Sequence, residues 1–260
     1  MPFVSLEMPQ PATIGLETKP GQKWPKTLPP LTAEQRAISD DFMKYWLEIL
    51  PRRYGVLEDF DHGFVVRTAG KSFLRSLEIG AGLGEHLRYE KLSAEQMANY
   101  FAVDIRQNVI DKLRAVHPGV NAILGDCQDR LDFPDGYFDR IIAIHILEHL
   151  PDLPRAIQEM YRVCNKESGF LQVVLPCEGS LAYSLARRIS AQRLFEKRYR
   201  QSYKWFIERE HINVPTEVIS ELAPYFQIER RAFFPLPVPV FWCNLVIGMN
   251  LRPRSRPLTC

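Results

Sequence analysis

Four clusters of glycine, carboxylate and imidazole residues stand out in this 260-residue chain. The first, Glu78-Ile-Gly-Ala-Gly-Leu-Gly84, follows an apolar run and leads into a helix-like one. Glycines at such a turn let the backbone fold back tightly and let a ligand approach the amides directly. A dinucleotide fingerprint would place its third glycine at position 85 if Gly80 is the first. Position 85 is Glu and the third glycine is Gly84, and an acid there repels a pyrophosphate. The second cluster is Asp104 at the end of Tyr100-Phe-Ala-Val-Asp, where a carboxylate can accept both ribose hydroxyls of an adenosine. Third, Gly125-Asp-Cys127 offers Asp126 to an adenine amino group; its other reading is an Asx turn that caps the loop. Fourth, His145 and His149 straddle the end of the run Arg140–Ile144. Imidazoles titrate near neutrality, so either can move a proton, and His149 is the favoured base. Its alternative role is to cap or pack the helix that follows.

These residues need a scaffold, and the apolar pattern supplies one. Runs at Ser76–Ile79, Phe101–Asp104, Ala122–Leu124, Arg140–Ile144 and Leu171–Leu175 have the length of buried parallel strands. Helical stretches about Gly84–Glu90, Gln107–Val116 and Leu153–Cys164 separate them. That alternation predicts an α/β fold, a mostly parallel sheet with helices on both faces. After Pro176 a long basic-aromatic helical segment, Tyr183–Glu210, precedes a helix near Pro215–Leu222 and strands at Phe226–Phe234 and Phe241–Asn250. Upstream, Thr32 with Gln35 has capping-box spacing, and Ile38, Phe42, Tyr45, Trp46 and Ile49 recur helically until Pro51 ends the run. A second helix or irregular stretch is expected around Tyr54–Val66.

In this order, LEIGAGLG, the acid of FAVDI, the GD pair and FPDGYFDRIIAIHILEHLPD resemble class I S-adenosylmethionine (SAM)-dependent methyltransferases over residues 75–177. The resemblance implies a Rossmann-like seven-stranded sheet, with SAM as cofactor and S-adenosylhomocysteine as product. It also implies that Gly80, Ala81, Gly82, Gly84, Asp104, Ile105, Asp126 and Cys127 line the cofactor. Glu78 would lie beneath the loop, and Ile144–His145 near the methionine end. Methyl transfer is a direct displacement, so alignment supplies most of the acceleration, and a hydroxyl acceptor gains from a base. His149, His145 and Glu148 are the catalytic candidates. Glu148, His149 and His211 also resemble the ligands of methyltransferases that chelate a divalent ion with the acceptor. Those have an acid where this chain has His145, so no metal is the favoured reading and this set the weaker alternative.

The segment 178–214 follows the fifth strand, where this family inserts a substrate cap. Between Arg187 and Lys204 seven basic residues meet one acid, Glu196, with aromatics interleaved. Arg187, Arg193, Tyr199, Tyr203, Trp205 and His211 are the acceptor candidates. Guanidinium groups beside aromatic faces suit a sugar or nucleotide bearing phosphate. The phrase FEKRYRQSYKWFIEREHINVPTEVISEL is similar to methyltransferases of bacterial surface-polysaccharide gene clusters, which implies a glycan or lipid-linked sugar acceptor. The expected activity is therefore O-methylation of such a hydroxyl. N- or C-methylation of another small molecule, or SAM binding without turnover, are the alternatives.

Composition bounds the rest. A net charge of +2 is too low to favour nucleic acid as the partner. The five cysteines, Cys127, Cys164, Cys177, Cys243 and Cys260, are scattered and never paired as CxxC, which suits a reducing cytoplasm. No signal peptide is evident in MPFVSLEMPQ. Ala232–Leu251 lacks charge, but Pro235, Pro237 and Pro239 make it a loop between strands rather than a membrane span. The expected organisation is a proline-rich flexible arm (1–31), a helical segment (32–70), the SAM-binding domain with its cap (71–252) and a tail (253–260). The sequence assigns no oligomeric state.

Overall fold

The computed structural model describes residues 23–70 and 72–258. Seven strands form one sheet: β1 (Ser76–Ile79), β2 (Tyr100–Asp104), β3 (Asn121–Leu124), β4 (Arg140–Ile144), β5 (Phe170–Pro176), β6 (Phe226–Phe234) and β7 (Val246–Pro253). Their order is β3-β2-β1-β4-β5-β7-β6, and only β7 runs antiparallel to its neighbours. This is the mostly parallel α/β sheet that the alternating pattern predicts, with the seven strands and Rossmann-like order that the resemblance implies. β1 pairs with β2 on one side and β4 on the other, so the strand order reverses there. Ligands in open α/β sheets bind in the crevice at the carboxyl ends of such strands. All of β1 and residues 140–143 of β4 are buried, as strands covered on both faces must be.

The helices cover both faces. α1 (Ala33–Thr68) begins at the Thr32–Gln35 capping box. Its backbone passes through Pro51 and breaks at Tyr54 (φ −128°, ψ 23°), so the expected stop at Pro51 falls three residues later and helix resumes beyond it. The second half of α1 seats Phe64 and Val65 on the sheet. At Gly248 of β7 an added Cβ would lie 2.6 Å from the Phe64 ring, so only glycine admits this approach. α2 (Ala94–Ala98) and α3 (Gln107–Val116) precede β2 and β3, and α4 (Leu153–Val163) buries Leu153, Ala156, Ile157, Met160 and Val163 along one face.

Three expectations change. Gly84–Glu90 is a turn and one 3-10 turn (His86–Arg88) rather than a helix. Glu90 is drawn inward, where its Oε1 lies 2.7 Å from both His86 Nε2 and the buried Arg140 Nη2. The segment expected as one helix over Tyr183–Glu210 is α5 (Leu181–Arg187), a π-turn (Arg188–Gln192), α6 (Arg193–Tyr199) and α7 (Lys204–Glu210). Arg200, left-handed at φ 56°, ends α6. Finally, β7 starts at Val246 rather than Phe241, because residues 236–244 fold around the buried Asn244 side chain. That amide donates to Val238 O (3.2 Å) and Val240 O (2.8 Å) and accepts from Leu236 N (2.8 Å).

α8 (Pro215–Leu222) closes the cap onto α4. Residues 23–31 have no helix or strand but lie along α8, with Lys26 N donating to Pro151 O and Trp24 Nε1 to Glu221 Oε1. Residues 1–22 of the proline-rich stretch and Cys260 lie outside the described residues.

Candidate active site

The glycine loop leaves β1 and turns at once. Gly80, Gly82 and Gly84 all take left-handed φ (68°, 56° and 82°), which a side chain would strain. A Cβ at Gly80 would also lie 2.8 Å from Ile146, so the loop and the end of β4 close on one another. The Gly82 amide donates to Asp104 Oδ2 at 3.3 Å, which sets the carboxylate beside the loop. Ala81 is buried under the turn, and Ile105 projects into solvent next to Asp104.

Asp104 has a further partner that the sequence reading missed. Arg106 Nε and backbone N donate to its Oδ1 (2.9 and 3.0 Å), and Nη2 to its Oδ2 (2.9 Å). Burial pushes the Asp104 carboxyl up, but Arg106 and the Gly82 amide outweigh it and hold it below the usual range. The half-exposed guanidinium therefore sits where ribose hydroxyls would bond. Asp126 is also engaged: its Oδ1 accepts the Gln128 amide at 2.9 Å, the Asx turn named above as its second reading. Cys127 is buried, and burial pushes its thiol up to about 12, so it offers a backbone amide rather than a thiolate. Glu78 lies beneath the loop, accepts from Tyr100 OH at 2.7 Å, and has its carboxyl raised by burial.

At the end of β4 the chain turns through His145, held at a left-handed φ of 50°. Its Nε2 lies 2.9 Å from Asp61 Oδ2 on α1, and its Nδ1 3.2 Å from Glu148 Oε1. Burial disfavours the charged ring, but Asp61 and then Glu148 overcome this and push it up to about 10. A charged imidazole has no lone pair to take a proton. In this charged form His145 anchors the turn through Asp61 and Glu148.

His149 is placed differently. Its nearest carboxylates, Glu148 Oε1 and Glu210 Oε2, are each 3.9 Å away, and its ring packs edge-on to His211 at 5.3 Å between centroids. Burial lowers its pKa, which keeps it neutral and able to accept a proton at neutral pH. Glu148, His149 and His211 come together, with one ligand atom from each within 4.8 Å of the others. Glu148 Oε2 is buried without a hydrogen-bond partner, and a neutral imidazole with a free carboxylate oxygen is a donor set that fits a divalent cation. Asn213, fully buried, fixes this corner by donating to Leu147 O and Leu150 O, both at 2.8 Å.

A pocket of about 300 Å³ opens under the cap beside this cluster. Glu178, Arg187, Tyr203, Lys204, Glu208 and His211 line it with Gln192, Ser202 and Ile207. Glu178 is buried and paired with Arg187, and His211 Nδ1 lies 3.1 Å from its Oε2. Burial raises the Glu178 carboxyl, but His211 and Arg187 outweigh it and hold it ionised. Of the acceptor candidates, Arg187, Tyr203 and His211 reach this pocket. The others do not line it. Tyr199 donates to Asp41 Oδ2 on α1 at 2.6 Å, Trp205 packs on Phe195 in the cap core, and Arg193 points to solvent. The aromatic spacing mostly encoded the contact between the cap and α1, where Phe42 meets Phe195 and Phe206. Asp61, Glu178 and Glu210 carried no local signal, because distant segments bring them to the site.

Residues 77–171 match the model of a family described as a methyltransferase domain. Over these residues the chain is similar to a methyltransferase domain, and the strand order around them is that of the class I fold. The cofactor of this class is SAM, and the left-handed glycine cradle and the Asp104 carboxylate fit it. The chain is 25% identical over 101 residues to a human mitochondrial arginine-hydroxylase, covering 39% of this chain and 28% of that protein. It is 30% identical over 102 residues to ajmaline N-methyltransferase of Rauvolfia serpentina, covering 38% of this chain and 34% of that enzyme. The chain thus spans about a third or less of these relatives. A crystal structure from Pyrococcus horikoshii superposes at a TM-score of 0.58 and 18% identity, covering 81% of this chain and 99% of the other. A possible histamine N-methyltransferase from Thermotoga maritima superposes at 0.55 and 18% identity, covering 84% and 98%. Both share the fold.

Proposed function

We propose that this protein transfers the methyl group of SAM to a hydroxyl of a small polar acceptor, a sugar or glycan intermediate held under the cap. The observation that carries the reading is His149: a neutral imidazole in the turn after β4, packed against His211, which lines the cap pocket. When bound, SAM supplies an electrophilic methyl. Asp104 and the loop amides would orient its ribose and amino acid ends, with Arg106 yielding the carboxylate. His149 would take the acceptor's proton, and His145, charged and tied to Asp61, would hold the turn that aims His149.

The pocket supports a polyhydroxylated acceptor because it presents both acids and bases, Glu178 and Glu208 against Arg187 and Lys204. Arg187 and Lys204 suit a phosphate on that acceptor. Glu148, His149 and His211 would hold a divalent cation in the weaker alternative, which would then polarise the acceptor oxygen. An amine acceptor is the second reading, since two of the proteins compared above are named as N-methyltransferases. Methyl-labelled SAM offered with sugars, sugar phosphates, nucleotide sugars and amines tests the proposal. Label on a hydroxyl acceptor, lost in His149→Ala, supports it. Label on amines alone replaces it with the second reading.

A further inference from the structure

We infer that the face formed by α5 and the loop between β6 and β7 docks onto the surface of an anionic lipid bilayer. On α5 and the π-turn, Leu181, Leu185 and Ile189 stand 73%, 60% and 66% exposed. They recur every fourth residue, so they share one side of the helix, while Ala191 and Phe195 are buried in the cap. The wider π-turn takes back part of the rotation that each four-residue step adds, and so keeps the stripe in line.

A second apolar segment lies next to the first. Leu236, Val238, Val240 and Trp242 are 45%, 43%, 40% and 37% exposed in the loop that carries three alternating prolines. Asn244 locks the two segments together. Its side chain holds the loop backbone at Leu236, Val238 and Val240, and its carbonyl accepts from Ser180 Oγ at 2.9 Å. That same hydroxyl caps α5 through the Tyr183 amide. Single exposed aliphatic side chains are ordinary on a protein surface, but a continuous field of them marks an interaction site.

The charges beside the patch select its occupant. The fourth-residue spacing continues through Arg193 and Lys197, and Arg188 adjoins Ile189; all three are exposed. Arg187 and Arg198 are tied to Glu178 and Asp41, whereas Arg188, Arg193 and Lys197 have no carboxylate partner among the described residues. Apolar groups flanked by free cations match a bilayer whose acyl region lies under anionic headgroups. A second copy of the chain would instead bring like charges together. Trp242 is of the residue type that concentrates at membrane interfaces. Among the described residues no helix is long and apolar enough to cross a membrane. The inference does not depend on the acceptor proposed above, although the docked face lies at the same end of the sheet as the cap pocket.

Vesicle co-sedimentation of the full chain tests this, using phosphatidylcholine alone and phosphatidylcholine with about 30% phosphatidylglycerol. The chain should pellet with the anionic vesicles, at least tenfold more than with the neutral ones, and be released by high salt. Leu185→Asp with Ile189→Asp, and separately Arg188→Glu with Lys197→Glu, should each weaken this at least tenfold. Both variants should keep the wild-type circular dichroism and SAM affinity, which ties the loss to the surface. Trp242→Phe should remove a vesicle-induced blue shift of the fluorescence. Wild-type protein that stays in the supernatant with both vesicles overturns the inference. So does a wild-type dimer that Leu185→Asp with Ile189→Asp makes monomeric without changing vesicle binding.

Discussion

His145 Nε2 lies 2.9 Å from Asp61 Oδ2, joining the turn after β4 to a helix residue 84 positions earlier in the chain. This contact favours the charged form of His145. In the mechanism proposed above, that leaves His149, four residues on, as the proton acceptor.

Removing the Asp61 charge should therefore destabilise the fold. Asp61→Asn leaves the His145 imidazolium, a third exposed, short of a partner, a loss of about 1–3 kcal/mol with solvent screening. The pH dependence has a definite sign. A folded pKa raised to about 10 gives stability that is fully present below the ordinary 6.5 and is lost as pH rises through 10. Urea denaturation between pH 7 and 10 should show wild type losing stability and Asp61→Asn losing much less. Equal slopes would mean that the pair is not charged.

Asp104 should govern cofactor affinity. Asp104→Ala removes the acceptor of two charge-assisted hydrogen bonds and should weaken SAM binding roughly a hundredfold or more in calorimetry. Arg106→Ala removes the guanidinium that competes for the same oxygens and should tighten SAM binding. Weaker binding in that variant would make Arg106 a cofactor contact instead.

His149→Ala should lower kcat by about 10²–10⁴ with SAM affinity unchanged, the signature of a lost proton acceptor. Stripping metal with EDTA and restoring it separates the two roles of His149. An unchanged rate leaves it as a base, and a rate that follows the metal makes Glu148, His149 and His211 ligands.

Acid should unfold the protein through a second buried network. His62 Nδ1 lies 3.3 Å from His86 Nδ1, and His86 and Arg140 both meet Glu90. Burial and then His86 lower His62 to about 3; for Glu90 the His86 and Arg140 contacts outweigh burial and lower it to about 2. In both cases the unfolded chain takes up protons that the folded one refuses. Stability thus falls from about pH 6.5 for His62, and from about 4.5 toward 2 for Glu90. Tm measured at pH 7, 5.5 and 4 should drop stepwise, and His62→Gln should flatten the part between 7 and 5.5.

Much of this architecture is legible in the sequence because it is local. The β-strand runs, the left-handed glycines and Asp104 at a strand end each follow from neighbours within a few positions. What escapes is nonlocal. Nothing near Asp61 indicates that it meets His145, and nothing near Glu178 that it meets His211. The helix expected after Gly84 fails because Glu90 turns inward to Arg140, 50 positions away, and helix propensity cannot register that partner. Aromatic residues of the cap look the same in sequence whether they face a ligand or Phe42.

Holding SAM is the role proposed for the loop at Gly80–Gly84 and for Asp104. Calorimetric titration of the full chain with SAM, S-adenosylhomocysteine and NAD tests it most directly. Both adenosyl compounds should bind one-to-one, roughly a hundredfold or more weaker in Asp104→Ala, and NAD should give no heat. NAD binding without SAM binding would contradict it.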